Sequence, residues 1–191
     1  MIESNGDGKP AISVIMVDSR SHLKPEWVEK AINSVKEQAF KDIELIVIDN
    51  TERTHSIGRM FNQGVEKAEA DWVFFLGDDD FISIDYLGSL KLFIDKYATE
   101  DTVVCTTYST FFDDEKREMS INAAIAMGCF RREYLLENKF KEDIKRHVDV
   151  EMYKRLDAQG KKVKVCRWHF GAYYRQHGDN VSGRKNINPK G

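Results

Sequence analysis

Short continuous apolar runs alternate along this chain with stretches whose apolar residues recur every three or four positions. "AISVIMV" (11–17) is an unbroken apolar run rich in β-branched residues, which predicts a strand buried on both faces. Pro25 opens "PEWVEKAINSVKEQ", where Trp27, Val28, Ala31, Ile32 and Val35 fall at helical spacing and proline suits the first turn. "IELIVI" (43–48) predicts a second buried strand, and "HSIGRMFNQGVEKAEA" (55–70) a helix weakened by Gly58 and Gly64. "WVFFL" (72–76) predicts a third strand, "SIDYLGSLKLFIDKY" (83–97) an amphipathic helix, and "TVVCTTYSTFF" (102–112) a further strand. The strand–helix alternation predicts an α/β fold with a mainly parallel sheet and helices on both faces.

The pattern loosens after Phe112. "DDEKRE" (113–118) predicts a charged turn or loop. "REYLLENK" (132–139) and "VDVEMYKRLDAQG" (148–160) predict helices, the second stopped by Gly160. "KKVKVC" (161–166) and "FGAYYR" (170–175) predict short strands. Residues 1–10 and 183–191 are expected to be loose tails, with 11–112 and 113–182 as two halves of one domain.

Composition narrows the class. The chain has 191 residues, 41% hydrophobic and 32% charged, enough for a single domain with a real core. A net charge of -3 offers no basic field for nucleic acid. Cys105, Cys129 and Cys166 are widely spaced and odd in number, which supports neither a disulfide framework nor a zinc site and points to a reducing, cytoplasmic setting. The polar start "MIESNGDGKP" does not read as a signal peptide, and no apolar run approaches the ~20 residues that span a bilayer. Any membrane association is expected to be peripheral, at the inner face, or through a partner.

Candidate chemistry gathers at one edge. Ligands of open α/β sheets bind at the carboxyl ends of the strands. The first predicted strand ends at Asp18, the second at Asp49, Asn50 and Thr51, and the third at "GDDD" (77–80). Aspartate and asparagine also suit turns, so each alone has a plain structural reading. Three acidic ends along one edge would make it strongly negative, and a divalent cation such as Mg²⁺ or Mn²⁺, bound with substrate phosphates, is the usual remedy.

Longer motifs carry a resemblance. "SVKEQAFKDIELIVID" (34–49), "NQGVEKAEADWVFFLGDDDFISIDYL" (62–87), "GCFRREYLLENKF" (128–140), "HVDVEMYKRLDAQGKKV" (147–163) and "YRQHGDNVS" (174–182) follow one another in the order seen in family 2 of the inverting glycosyltransferases. The chain resembles that family over about residues 11–182. The resemblance implies the GT-A fold: a Rossmann-like, mainly parallel central sheet with helices on both faces and a smaller C-terminal acceptor-side region. It makes 11–112 the nucleotide-sugar-binding half and 113–182 the acceptor and catalytic-base half. It implies an inverting transfer from a nucleotide-diphosphate sugar, with UDP as the family's most frequent base, to a hydroxyl of a glycan or glycolipid, as in polysaccharide or glycoconjugate synthesis.

The resemblance also implies roles. Asp49 and Asn50 would contact the nucleoside base, with Asp18 a candidate for base or ribose. Asp78 would lie near the ribose, and Asp79 would be the main ligand of Mn²⁺ or Mg²⁺, with Asp78 and His177 beside it. Arg175 and His177 would lie near the pyrophosphate, Arg59 is a candidate phosphate contact, and Asp149 would be the general base. The chain departs from the family where "VDSRS" (17–21) replaces the usual Pro-Thr-Tyr-Asn, where Gly77 replaces an acid, and where Val148 replaces a Glu.

Inverting displacement needs a stabilised leaving group and a base for the attacking hydroxyl, and the separated acids supply both. Asp149 also reads as a helix-capping or first-turn acid, with Glu151 the next candidate base. A nucleotidyltransferase and a non-catalytic nucleotide-binding module of the same fold are the alternatives. The first would want a glycine-rich phosphate loop after the first strand, which "VDSRSHLKP" lacks. Read with the resemblance, the chain is either a minimal catalytic domain or a fragment of a longer one.

Overall fold

The computed structural model describes residues 8–112, 118–123, 128–169 and 171–178. Among the described residues, five helices and nine strands follow in the order β1 (Ile12–Asp18), α1 (Pro25–Lys36), β2 (Ile43–Asp49), α2 (Ile57–Lys67), β3 (Trp72–Gly77), β4 (Phe81–Ile82), α3 (Tyr86–Tyr97), β5 (Thr102–Phe112), β6 (Glu118–Ala123), β7 (Cys129–Arg131), α4 (Arg132–Glu137), α5 (Val148–Ala158), β8 (Lys162–Cys166) and β9 (Ala172–Arg175).

The strands form one sheet in the order β2-β1-β3-β7-β5-β9-β4, with β6 and β8 also pairing β5. β1 runs parallel to β2 and β3, and β5 runs parallel to β8 and β9, whereas β7 is antiparallel to both β3 and β5. Alternate side chains of β1 and β3 feed two cores, as the pleat requires. Val14, Met16, Phe74 and Leu76 pack with Val28, Ala31 and Val35 of α1 and with Leu87, Leu90 and Phe93 of α3. Ile15, Val73 and Phe75 pack with Val65 of α2, Tyr134 and Leu135 of α4, and Met152 and Leu156 of α5. Helices therefore cover both faces of the predicted α/β sheet.

Sequence and structure differ at four places. β2 is an edge strand, largely half-buried, with Val47 42% exposed, because it has β1 on one side only. β4, β6 and β7 are strands the pattern does not single out: at two to six residues, they are too short or too polar for a periodicity to register. The predicted charged turn at 113–118 overlaps β6 at Glu118, and 113–117 lie outside the described residues. Phe170, residues 1–7, and 179–191, which include the end of the "YRQHGDNVS" motif, lie outside them too.

Two features of this architecture position the site. β5 is long enough to pair β7 and β8 through its first half and β6 and β9 through its second, so it carries β9 across to β4. β4 follows the 78–80 turn directly and pairs antiparallel with β9, Phe81 opposite Tyr173. That register sets Arg175 and His177 beside the acidic turn.

Candidate active site

The carboxyl ends of β1 and β3 meet at a cleft of about 180 Å³. Ser19, Arg20 and Gly77 to Asp80 line it together with His147, Val148 and Asp149 at the start of α5. Phe61, Phe75, Phe130 and Phe140 give it an aromatic wall. A wider, open depression of about 410 Å³ lies between α1 and β4, but its lining, which includes Glu26, Lys30 and Phe81, contains none of the acidic turn. The acidic turn and Asp149 line the smaller cleft, whereas Asp18, Asp49, Asn50, Arg175 and His177 are not part of its lining.

The turn is built by hydrogen bonds that its own residues donate and accept. Asp80 N–H donates to Gly77 O at 3.2 Å and closes it. Asp80 Oδ1 accepts from Arg175 N at 2.8 Å, and Arg175 Nε donates to Asp79 O at 3.0 Å. The Arg175 guanidinium lies 4.5 Å from the Trp27 ring and 4.7 Å from the Phe112 ring. Held against both rings, it clamps the backbone of the turn. A Cβ at Gly77 would lie 2.5 Å from Asp80 Oδ2 and 2.8 Å from Asp79 Oδ1, so only glycine lets both carboxylates fold back over the strand end.

Each of the three acids has a different set of partners. Asp78 Oδ2 accepts from Ser19 N at 2.7 Å and from Ser19 Oγ at 2.9 Å, and its Oδ1 is paired with Arg20 Nη1. Asp79 Oδ2 lies 3.4 Å from Arg20 Nη2 and 2.7 Å from His177 Nε2. His177 stacks obliquely on Trp27, ring centres 4.9 Å apart. Burial pushes the Asp78 carboxyl up, Arg20 opposes that, and the neighbouring Asp79 adds to it. Asp80 is pushed well above the carboxylate range by burial and then by Asp79. Burial pulls the Arg20 guanidinium down, but Asp79 and Asp78 outweigh it and the net shift is upward.

The expectation that a divalent cation is needed to balance the acids thus meets a resident cation, Arg20. Ser19, Arg20 and Trp27 are the site residues that sequence reasoning misses. Arg20 lies in the segment that departs from the family pattern, and Trp27 fits the helical stripe of α1 as a core residue. The available signal was charge: three adjacent buried acids require a counter-ion, and Arg20 is the basic residue at the end of the neighbouring strand.

The remaining predicted residues are placed as follows. Asp18 and Asp49 sit opposite each other at the ends of β1 and β2. Asp18 Oδ1 accepts from the N–H groups of Arg20 and Ser21, and the exposed Asp49 accepts from Thr51, whose bonds pull its pKa down. Asn50 is buried and both ends of its amide bond His55 backbone. Arg59 is exposed on the first turn of α2 and does not line the cleft. Asp149 occupies the first turn of α5, after His147, whose left-handed backbone (φ 58°) starts the helix without a side-chain cap. Among the described residues the Asp149 carboxylate has no hydrogen bond or ion pair. Glu151, by contrast, is paired with Lys141 and Arg155, each at 3.0 Å.

The family described as "Glycosyltransferase like family 2" matches residues 7–116, more than half of the chain. The chain belongs to this family. Its fold is shared with solved structures of S. aureus TarS. TarS 1-349 matches with a TM-score of 0.68 at 18% identity, over 86% of this chain and 60% of that one. TarS 1-349 in complex with UDP-GlcNAc matches with a TM-score of 0.71 at 16% identity, over 92% of this chain and 61% of that one. The chain spans about three-fifths of the length of those structures. No helix among its described residues is long and apolar enough to cross a membrane.

Proposed function

We propose that this family 2 chain is an inverting glycosyltransferase that moves a sugar from a nucleotide-diphosphate sugar, with UDP the favoured nucleotide, to a hydroxyl of a glycan or glycolipid acceptor. One observation carries the reading: the 78–80 acidic turn and Asp149 line the same cleft. The complexes of TarS with UDP and with UDP-GlcNAc support a uridine diphosphate sugar as the donor class.

The donor set fits a divalent cation in part. Among the described residues no group of three or more His, Cys, Asp or Glu side chains could hold a metal ion. Asp79 Oδ2 and His177 Nε2, 2.7 Å apart, offer one oxygen and one nitrogen, and Mg²⁺ or Mn²⁺ commonly takes its other ligands from substrate phosphates and water. Asp79 and His177 would hold the ion, which when bound supplies charge neutralisation at the departing diphosphate.

The chain's own groups have distinct tasks. Asp18 and Asp49, on adjacent strand ends, suit the hydroxyls and base edge of the nucleoside. Asn50 shapes their loop through His55, and Arg175 holds the turn that presents Asp79. Asp149, which lines the same cleft as the acidic turn, accepts the acceptor hydroxyl's proton as that hydroxyl's oxygen attacks the anomeric carbon and the nucleoside diphosphate departs.

Asp149→Asn tests the reading. UDP and Mn²⁺ binding, followed by calorimetry, should stay near wild type, while transfer falls by about 10²–10⁴-fold. Unchanged turnover removes Asp149 from the role. A complete lack of donor hydrolysis or transfer by the wild-type protein, across UDP, GDP, dTDP and CDP sugars with Mn²⁺, would favour the non-catalytic binding module instead.

A further inference from the structure

Arg20 stands where a cation is wanted. Its Nη1 pairs with Asp78 Oδ1 and lies 3.4 Å from Ser19 Oγ, while its Nη2 lies 3.4 Å from Asp79 Oδ2. The side chain is buried, so solvent screens these contacts little. Asp79 Oδ2 is the same atom that faces His177 Nε2. We propose that Arg20 is a built-in counter-ion that holds the acidic turn in shape without metal and competes with a divalent cation for Asp79. This rests on the reading that Asp79 and His177 hold that cation.

The geometry dictates the competition. Oxygen ligands approach Mg²⁺ at about 2.0–2.1 Å, so an ion on Asp79 Oδ2 would stand beside a guanidinium that is 3.4 Å from the same oxygen. Two like charges that close repel strongly in a buried site, which favours withdrawal of Nη2. Arg20 need not leave altogether, because Nη1 keeps Asp78 and Ser19. Withdrawal costs least when an anion receives the freed Nη2, and the diphosphate of the donor is such an anion. Metal and nucleotide are therefore coupled: the cation alone binds weakly, and it binds well once the diphosphate offers Arg20 a new partner. The departure of "VDSRS" from the family pattern becomes functional, since it supplies both Ser19 and Arg20.

The test is a Mn²⁺ titration by calorimetry of wild type, Arg20→Gln and Arg20→Lys, with and without UDP, on protein whose circular dichroism shows it folded. Gln keeps hydrogen bonding to Asp78 but removes the charge. Without UDP, Arg20→Gln should bind Mn²⁺ more tightly than wild type, by roughly the 5- to 150-fold typical of coupled sites, and its gain on adding UDP should shrink. Arg20→Lys, which keeps the charge, should stay near wild type. If wild type with UDP binds Mn²⁺ and Arg20→Gln alone binds it no better than wild type, the counter-ion inference fails while the cation site stands. If no protein binds Mn²⁺ even with UDP, both fall.

Discussion

Gly77→Ala offers a direct measure of how tightly the acidic turn is built. The added methyl carbon would lie 2.5 Å from Asp80 Oδ2, 2.8 Å from Asp79 Oδ1 and 3.1 Å from Asp80 Cγ. Non-bonded heavy atoms settle at about 3.5–4.0 Å, so both carboxylates must retreat by roughly 0.7–1.5 Å. Neither moves cheaply. Asp80 is held by Arg175 N–H at 2.8 Å and Asp79 by His177 at 2.7 Å. Overpacking of this kind costs about 1–3 kcal/mol. Replacing glycine offsets about 0.4–1 kcal/mol by narrowing the unfolded ensemble. The net expectation is a loss of about 1–2 kcal/mol, or ~2–8 °C in Tm at ~2–4 °C per kcal/mol for a chain of this size. Because Asp79 is displaced, Mn²⁺-dependent UDP binding should weaken as well. Scanning calorimetry gives the first quantity and titration calorimetry the second. A Tm within about 1 °C of wild type together with unchanged binding would refute the claim that close approach constrains this position.

Other perturbations probe the frame around the site. Glu151→Gln removes the acid paired with Lys141 and Arg155 and should cost ~0.2–1 kcal/mol in denaturant unfolding while transfer stays near wild type; a loss of activity comparable to that of Asp149→Asn would shift the base to Glu151. Asn62 joins α2 to the segment before α5, its amide bonding both N–H and C=O of Phe140, so Asn62→Ala should cost about 2–4 kcal/mol through two unpaired backbone groups. A midpoint unchanged in urea would contradict that account. Cys105, Cys129 and Cys166 are buried and free. Burial pushes the Cys105 thiol up to about 12 and the Cys129 thiol well above its usual value. A raised thiol pKa keeps the neutral form through the whole range below it, so a thiolate-specific reagent at pH 8 should label neither Cys105 nor Cys129 until denaturant is added; rapid labelling of the native protein at either would show that the β5–β7 pairing opens.

The alternation of apolar runs and helical stripes determined the α/β class, the two helix-covered faces and the strand-end location of the acids, because burial and periodicity are local properties of the chain. Gly77 before three aspartates and Asp149 at a helix start were legible for the same reason. What only tertiary structure decided is who partners whom. The 78–80 acids meet Arg20 through the parallel β1–β3 register, and Arg175 and His177 through the β4–β9 pairing, contacts 58 and about 100 residues apart in sequence. β4 and β7 are too short for any pattern to announce them, yet the first brings β9 to the acidic turn and the second joins the two halves of the sheet. The sequence determined that the adjacent acids at this strand end need partners. The fold decided that a guanidinium just past the neighbouring strand faces Asp78 and Asp79 and that the Arg175 N–H holds Asp80, since the energy of a buried charge depends on what lies within a few ångströms of it, and chain order does not record that distance.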